Sequence, residues 1–258
     1  MAHDDDIPIG RILTRREILA LFGAAGAAML AGCAPGQSST AQPTSTSSQA
    51  VATTGALLSC VVRPALTEGP YFVDEKINRS DIRSDPSDGT LKDGAALSLT
   101  VQVSQIAGSG CVPLAGAQVD VWHCDALGVY SDASDPGFNT VGQKFLRGYQ
   151  VTDENGAVQF TTIYPGWYQG RAVHIHFKIR TGLEEGETSF YEFTSQWFFD
   201  ESLTDQVHSQ QPYAAKGQRT LKNDGDGIYN QSGGQTLLDV AQSGDGYAAT
   251  FDIGLQMS

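Results

Sequence analysis

The amino-acid sequence predicts an all-β domain, folded as an antiparallel β-sandwich with short helices and long loops. Apolar and polar residues alternate along several short segments, and clusters of Gly, Pro, Asn and Asp separate those segments. No long segment has the apolar periodicity of an amphipathic helix. About 200 of the 258 residues follow a polar N-terminal region, and this length is typical of one domain with a sizeable core.

The strands are predicted from side chains that alternate between two faces with a period of two. The alternation is clearest in LSLTVQVSQI (97–106), AQVDVWH (117–123), AVQFTTI (157–163) and AVHIHFKI (172–179). Asn155-Gly156 lies between two such runs and predicts a β-hairpin, because this dipeptide favours a type I′ turn. Short helices are expected near residues 202–215 and 236–241.

Residues 1–33 are predicted to be a signal peptide that precedes the domain. Arg15-Arg16 is followed by a short apolar segment that ends in Leu-Ala-Gly-Cys at Cys33, and the pattern resembles a twin-arginine export signal with a bacterial lipoprotein box. Cys33 would carry the lipid that anchors the mature chain to a membrane on its extracytoplasmic side. The alternative is an uncleaved N-terminal membrane anchor.

Residues 34–56 are predicted to be a flexible tether, so that the folded domain covers residues 57–258. The tether is rich in Ser, Thr, Gln, Ala and Pro and carries no charge, and such a segment buries too little apolar surface to fold.

Charge and cysteine content limit the partners of the domain. The net charge of −13 argues against nucleic acid and anionic membrane surfaces as partners. Outside the cytoplasm we expect a disulfide between two of the three cysteines Cys60, Cys111 and Cys124, with the third left free. The sequence leaves open which two pair, which membrane carries the anchor and whether the chain forms a homo-oligomer.

Two histidines on one predicted strand are the best candidates for a metal site. In RAVHIHFKIR (171–180), His174 and His176 point to the same face, opposite an apolar stripe. The spacings of zinc sites, such as a cysteine pair or His-Glu-x-x-His, are absent from the sequence. Tyr130 and Tyr168 lie in predicted loops, and phenolate oxygen beside imidazole suits a hard trivalent metal such as Fe(III).

Three motifs, taken together and in order, resemble the intradiol ring-cleavage dioxygenases, non-haem Fe(III) enzymes that split catechols between their two hydroxyls. The motifs are DVWHCDALGVYSD (120–132), TIYPGWY (162–168) and RAVHIHFKI (171–179). TEGPY (67–71) and the glutamine of TSQWFF (194–199) also match family positions. The resemblance covers residues 60–230, which is nearly the whole predicted domain.

The resemblance implies that each chain binds one Fe(III) through Tyr130, Tyr168, His174 and His176. Tyr168 and His176 would be the axial ligands, Tyr130 and His174 the equatorial ligands, and a hydroxide would complete the site. Two phenolates would lower the net charge of the metal and keep it ferric.

The resemblance also assigns the residues that would contact the substrate and the reaction that they would support. Arg171 and Gln196 would lie beside the catechol, and Tyr168 would accept one of its two protons. Arg171 would stabilise negative charge on the ring as O2 attacks it, and the product would be a muconate-type diacid that contains both oxygen atoms. The substrate pocket would be bordered by Gly69, Pro70 and Tyr71.

Several points are left open or differ from the soluble catechol-degrading members of the family. Only Gln169-Gly170 separates Tyr168 from Arg171, which predicts a more open pocket and leaves the identity of the catechol undetermined. His123 is expected to be structural and His208 to be a solvated surface residue. The alternatives are a non-catalytic, transthyretin-like β-sandwich that acts as a surface binding protein, or a site for Zn or Cu.

Overall fold

The computed structural model describes residues 61–108, 110–183 and 190–257. The predicted signal peptide, the tether, the lipidation site Cys33 and Cys60 lie outside the described residues. The predictions for them therefore stay predictions.

The described residues form eleven strands and two α-helices. The strands are β1 (Ala96–Ala107), β2 (Gly110–Pro113), β3 (Gln118–Trp122), β4 (Ser134–Asp135), β5 (Phe138–Asn139), β6 (Arg147–Val151), β7 (Ala157–Ile163), β8 (His174–Thr181), β9 (Tyr191–Phe198), β10 (Val240–Ser243) and β11 (Gly246–Leu255). The helices are α1 (Glu201–His208) and α2 (Gly227–Ser232), with 3₁₀ turns at Tyr213–Lys216 and Asn223–Gly225. In this part of the chain, no helix has the length and apolar character needed to cross a membrane.

Two sheets pack face to face, which confirms the predicted all-β sandwich. One sheet has the order β10-β11-β1-β2, with β7 also paired to β1, and the other has the order β6-β3-β8-β9. The long strand β1 pairs with β7 and then with β2 along one edge. Its pairing with β11 along the other edge is parallel, whereas the remaining strand pairs are antiparallel. Alternation alone does not distinguish these two directions, because both give side chains a period of two.

The core lies between the two sheets and is built from alternate residues of the facing strands. Leu99 and Val101 of β1 are buried on one side, and Ile175 and Phe177 of β8 on the other. The Phe177 ring stacks on Trp197 of the neighbouring strand at 4.2 Å between centroids. Each such side chain contributes about 1.5–3 kcal/mol by leaving water.

The predicted hairpin at Asn155-Gly156 is wrong, although the tight turn itself forms. Gly156 has φ +75°, and its N–H donates to the Asp153 carbonyl at 2.9 Å. The strands on either side belong to different sheets, because β6 pairs with β3 and β7 with β1. A Cβ at Gly156 would lie 2.2 Å from the Val103 carbonyl oxygen, so the turn also packs tightly on β1. Turn chemistry fixes the local bend but not the partner of each strand.

The helix predicted over 236–241 is also wrong, whereas the one near 202–215 is confirmed. Asp200 caps α1 by accepting from Ser202 N at 2.9 Å and Leu203 N at 3.0 Å, and the helix runs to His208. Residues 240–243 instead form β10, which pairs with β11 at the sheet edge. The short helix in this region is α2, which ends where Gly233 adopts φ +58°.

The outer face of the four-stranded sheet is covered by residues 66–79, named here the covering segment. Leu66 N donates to the Thr194 carbonyl of β9 at 2.9 Å, and Arg79 N to the Tyr149 carbonyl of β6 at 3.0 Å. The segment therefore crosses the sheet from one edge strand to the other. As a result, β8 is buried on both faces, including the face that carries its histidines.

Two buried cations of β8 hold the covering segment in place. Lys178 forms ion pairs with Glu68 of the segment and with Glu192 of β9, the latter at 2.9 Å. Arg180 pairs with Asp74 of the segment at 3.0 Å and with Asp120 of β3 at 2.9 Å. These pairs give a structural role to two charged residues of β8 that are not among the predicted site residues.

Of the two cysteines among the described residues, one forms a disulfide and the other is a free thiol. Cys111 of β2 is disulfide-bonded, whereas Cys124 is free and buried. Cys124 is therefore the cysteine left over by the predicted disulfide.

We predict that Arg180→Met lowers the free energy of unfolding by about 3–5 kcal/mol, because it leaves the buried Asp120 carboxylate without its partner. Arg83→Met is the matched control, since Arg83 pairs with Asp81 at the surface, where a pair contributes about 0–1 kcal/mol. Urea unfolding of both variants measures the difference. Equal, small losses would show that the Arg180 pairs do not hold the covering segment.

Candidate metal centre

Strand β8 places His174 and His176 next to each other on the buried outer face of the sheet. His176 lies opposite Trp122 of β3 and Gln196 of β9 in the strand register. Its ring stacks on the Trp122 ring at 4.9 Å with an interplanar angle of 9°. The buried Nδ1 of His176 has no hydrogen-bond partner among the described residues, so stacking and the neighbours of Nε2 set the orientation of the ring.

The hydrogen bonds of His174 determine which of its nitrogens carries the lone pair. Nδ1 lies 2.7 Å from the Ala172 carbonyl oxygen, which can only accept, so Nδ1 is the donor. In the neutral ring Nε2 is then unprotonated, and it lies 3.0 Å from His176 Nε2 and 3.2 Å from the Tyr130 hydroxyl. A backbone carbonyl that fixes the far nitrogen is the usual way in which proteins orient a metal-binding histidine.

Burial keeps both imidazoles neutral. Burial and the nearby charge of Arg171 lower the pKa of His174 to about 3. Burial and the neighbouring His174 lower the pKa of His176 well below its ordinary value. At neutral pH neither ring carries the second proton that would make it a cation and repel a metal ion.

Tyr130 is delivered to the histidines by the loop that follows β3. Asp125 shapes this loop, because its Oδ1 accepts from the N–H groups of Leu127 and Val129 at 3.0 Å each. The Tyr130 side chain is buried, and burial raises the pKa of its phenol well above the ordinary value. A cation at this position would be needed to hold the phenolate form.

Tyr168 lies beside this group, but its hydroxyl forms hydrogen bonds elsewhere. The Tyr168 and Tyr130 rings meet edge to face at 5.8 Å between centroids. The Tyr168 hydroxyl donates to Asp135 Oδ2 at 2.8 Å and lies 2.7 Å from the Tyr71 hydroxyl. The structure thus brings Tyr130, His174 and His176 into mutual contact and places Tyr168 one ring away.

Asp135 is a neighbour of the site that the sequence motifs did not indicate. It accepts from the Tyr71 hydroxyl at 2.6 Å as well as from Tyr168, and the Tyr71 hydrogen bond lowers the pKa of the Asp135 carboxyl. Burial raises the pKa of Tyr168. The only available signal was an acidic residue in an Asp-Pro-Gly turn five positions after Tyr130.

Arg171 and Gln196, both predicted to be catalytic, are in direct contact. Arg171 Nη2 donates to Gln196 Oε1 at 2.7 Å, and Gln196 Nε2 donates to the Thr67 carbonyl at 2.8 Å. Arg171 Nε also donates to Asp226 Oδ2 at 2.9 Å. Asp226 lies 55 positions away in the sequence, outside every motif, and its interaction was not predicted.

The predicted pocket border, Gly69-Pro70-Tyr71, belongs to the covering segment. Gly69 has φ +72°, and a Cβ there would lie 3.2 Å from His176 Cε1. The Tyr71 ring stacks on Tyr130 at 4.6 Å between centroids. Pro70 is exposed, so of the three residues it is the one that faces solvent.

The two remaining described histidines lie away from this group. His123 is buried, its Nδ1 donates to the Cys124 carbonyl, and its Nε2 lies 2.6 Å from the Thr162 hydroxyl. Both ring nitrogens are therefore used within the protein. The expectation that His208 is a solvated surface residue is wrong, because it is buried at the end of α1 and stacks on Tyr213. The sequence around His208 is polar, so it did not indicate that one face of α1 packs against the core.

The chemistry of these donors fits a hard trivalent metal. In the part of the chain that the structure describes, no three His, Cys, Asp or Glu side chains gather as a metal-binding group, so the candidate donor set depends on its tyrosines. Two imidazoles and two phenols offer nitrogen and anionic oxygen, which suits Fe(III) better than Zn.

Known proteins that are similar to this chain are dioxygenases. The family model described as Dioxygenase matches residues 67–208. An intradiol ring-cleavage dioxygenase from Tetranychus urticae is 31% identical, with a TM-score of 0.65, over 76% of this chain and 95% of that one. The dioxygenase domain of a carbohydrate-binding fusion protein from Streptomyces sp. SirexAA-E is 25% identical, with a TM-score of 0.52, over 76% and 99%.

Curated relatives match over shorter stretches. A chlorocatechol 1,2-dioxygenase from Pseudomonas putida is 32% identical over 107 residues, and the match covers 34% of this chain and 40% of that relative. The alignments to the curated relatives span between 27% and 55% of their lengths.

We predict that Gly69→Ala displaces the His176 ring, because the added methyl group would press on Cε1. Gly89→Ala is the matched control, since Gly89 has a similar φ of +76° but nothing within 4 Å of its Cβ position. The Cε1–H resonance of His176, followed by NMR, is expected to shift in Gly69→Ala only. Equal shifts in both variants, or none, would contradict the close approach of Gly69 to His176.

Proposed function

The chain belongs to the intradiol ring-cleavage dioxygenase family, and on this basis we propose that it cleaves catechols between their two hydroxyls with O2, using one non-haem Fe(III). The ligands proposed are Tyr130, Tyr168, His174 and His176. The proposal depends mainly on one observation: His174 Nε2 lies 3.2 Å from the Tyr130 hydroxyl and 3.0 Å from His176 Nε2, and all three side chains are buried. Ferric iron bound there would supply the Lewis acidity that draws both protons from a chelating catechol and the electronic coupling that lets the ring react with O2.

The side chains around Tyr168 are arranged to handle one of the two catechol protons. A proton taken up by the Tyr168 oxygen is held in the hydrogen bond that this hydroxyl donates to Asp135 Oδ2 at 2.8 Å, and the Tyr71 hydroxyl lies 2.7 Å away. Asp135 is only half-buried, so the proton has a short route from Tyr168 to solvent. Tyr168 therefore acts as the general base for this proton; Asp135 stabilises the protonated form of Tyr168, whereas the hydrogen bond from Tyr71 favours its phenolate.

Arg171 supplies the positive charge needed where the substrate ring becomes anionic. Burial is the main cause of the lowered pKa of His174, and the charge of Arg171 adds to it. The same charge opposes the effect of burial, which raises the pKa of Tyr130, so the field of Arg171 reaches both groups. In a buried site a fixed cation of this kind stabilises developing negative charge strongly, because water does not screen it.

The opening of the site supports catechol-type substrates with room for ring substituents. Gln169 and Gly170, the two residues between Tyr168 and Arg171, are exposed, and Tyr168 is half-buried. The comparisons give no support to the alternative of a non-catalytic, transthyretin-like surface protein.

We also propose that the protein is lipid-anchored on the extracytoplasmic side of a membrane, and the disulfide at Cys111 supports this location.

We predict that the iron-loaded protein absorbs visible light through tyrosinate-to-iron charge transfer and consumes one O2 for each catechol that it cleaves. Tyr168→Phe should weaken the absorption and lower turnover by roughly 10²–10⁴-fold, because a ligand and general base is lost. Tyr149→Phe is the control, since Tyr149 lies on β6 outside the proposed ligand set, and it should leave both properties unchanged.

Mass spectrometry of the product formed under ¹⁸O₂ identifies the reaction. A ring-opened diacid that contains both labelled atoms is expected. A colourless iron-loaded protein, a product without label, or equal behaviour of the two tyrosine variants would count against the proposed function.

A further inference from the structure

A single carboxylate outside the sequence motifs connects the arginine, the start of β8 and helix α2. Asp226 is 1% exposed. Its Oδ2 accepts from Arg171 Nε at 2.9 Å and from Ala172 N at 2.8 Å. Its Oδ1 caps α2 by accepting from Ile228 N at 2.8 Å and Tyr229 N at 3.1 Å. Four donors therefore fix the orientation of this one group.

The Arg171 guanidinium is held from two sides. Asp226 binds Nε, and Gln196 Oε1 accepts from Nη2 at 2.7 Å. Nη1 has no hydrogen bond to any described residue. The two contacts fix the long Arg171 side chain and leave Nη1 for a ligand. Their hydrogen bonds offset the side-chain entropy that is lost when the rotamer is fixed.

The same carboxylate also orders the peptide that orients His174. The Ala172 N–H donates to Asp226, and the Ala172 carbonyl accepts from His174 Nδ1 at 2.7 Å. A change at Asp226 would therefore reach both the cation beside the substrate and one proposed ligand of the metal.

We propose that Asp226 is the positioning residue for Arg171, and that it sets the direction of the guanidinium toward the substrate and, through Ala172, the orientation of His174. This inference rests on the proposed function for its kinetic consequence but not for its structural one. Helix capping alone does not account for the arrangement, because Oδ1 serves the cap and Oδ2 serves Arg171 and Ala172.

Asp226→Asn separates these two roles. Asparagine caps helices as well as aspartate, but its single amide oxygen cannot serve both sets of donors. Asp200→Asn is the matched control, since Asp200 caps α1 through the same kind of contacts and lies outside the site. Asp226→Ser, which also caps well and lacks any reach to Arg171, replaces Asp226→Asn if the latter does not fold.

The kinetic test is a double-mutant cycle on the iron-loaded protein, with rates normalised to folded protein. Asp226→Asn should lower kcat/KM on the order of 100-fold, mainly in kcat, because a displaced charge costs about this much. Asp200→Asn should change it less than twofold. In an Arg171→Gln background, Asp226→Asn should add almost nothing. Equal losses in both backgrounds, or an equal loss from Asp200→Asn, would overturn the proposal.

A second readout does not need activity. The Arg171 Nε–H resonance of the full chain, loaded with diamagnetic Ga(III) or metal-free, should exchange slowly with solvent in the wild type and in Asp200→Asn. It should exchange fast in Asp226→Asn or Asp226→Ser. Fast exchange in the wild type, or no effect of the Asp226 variants, would overturn the proposal. The expected exchange pattern in a chain without dioxygenase activity would instead refute the proposed function and leave the role of Asp226 standing.

Discussion

The structure depends on the burial of the polar face of β8. His174, His176, Lys178 and Arg180 project from the outer side of a central strand, and each is at most 7% exposed. Buried polar groups must find partners, since an unpaired one costs several kcal/mol. The covering segment, residues 66–79, supplies carboxylates to the two cations and in the same crossing places Gly69 against His176 and Tyr71 against Tyr130. The segment that pairs the buried cations of β8 therefore also forms one wall of the candidate site.

Burial also sets the protonation states on which the proposed chemistry depends. It lowers the pKa of His174 and raises that of Tyr130, so both groups are neutral until a cation binds. A site of this kind favours a highly charged metal, because binding releases phenol protons and replaces them with the charge of the ion. Tyr168 differs, since its hydroxyl lies with Tyr71 and Asp135 at the edge of the site, where a proton can leave.

The sequence predicted those features that depend on local pattern. Alternation in 172–179 identified β8 and the shared face of its histidines, and the motifs identified Tyr130, Tyr168 and Arg171. The long-range partners were not predictable. Asp226 binds Arg171 although the two residues are 55 positions apart in the sequence, and Asp226 lies in no recognisable motif. Asn155-Gly156 shows the same limit for the fold, since a turn signal does not specify which sheet receives the next strand.

We propose that one ferric ion is bound by Tyr130, Tyr168, His174 and His176. Anomalous diffraction at the iron absorption edge, from crystals of the iron-loaded protein, tests this ligand set most directly. We expect one anomalous peak per chain, bonded to the two phenolic oxygens and to the Nε2 atoms of both histidines. A peak bonded to other residues, or no peak after loading with iron, would contradict it.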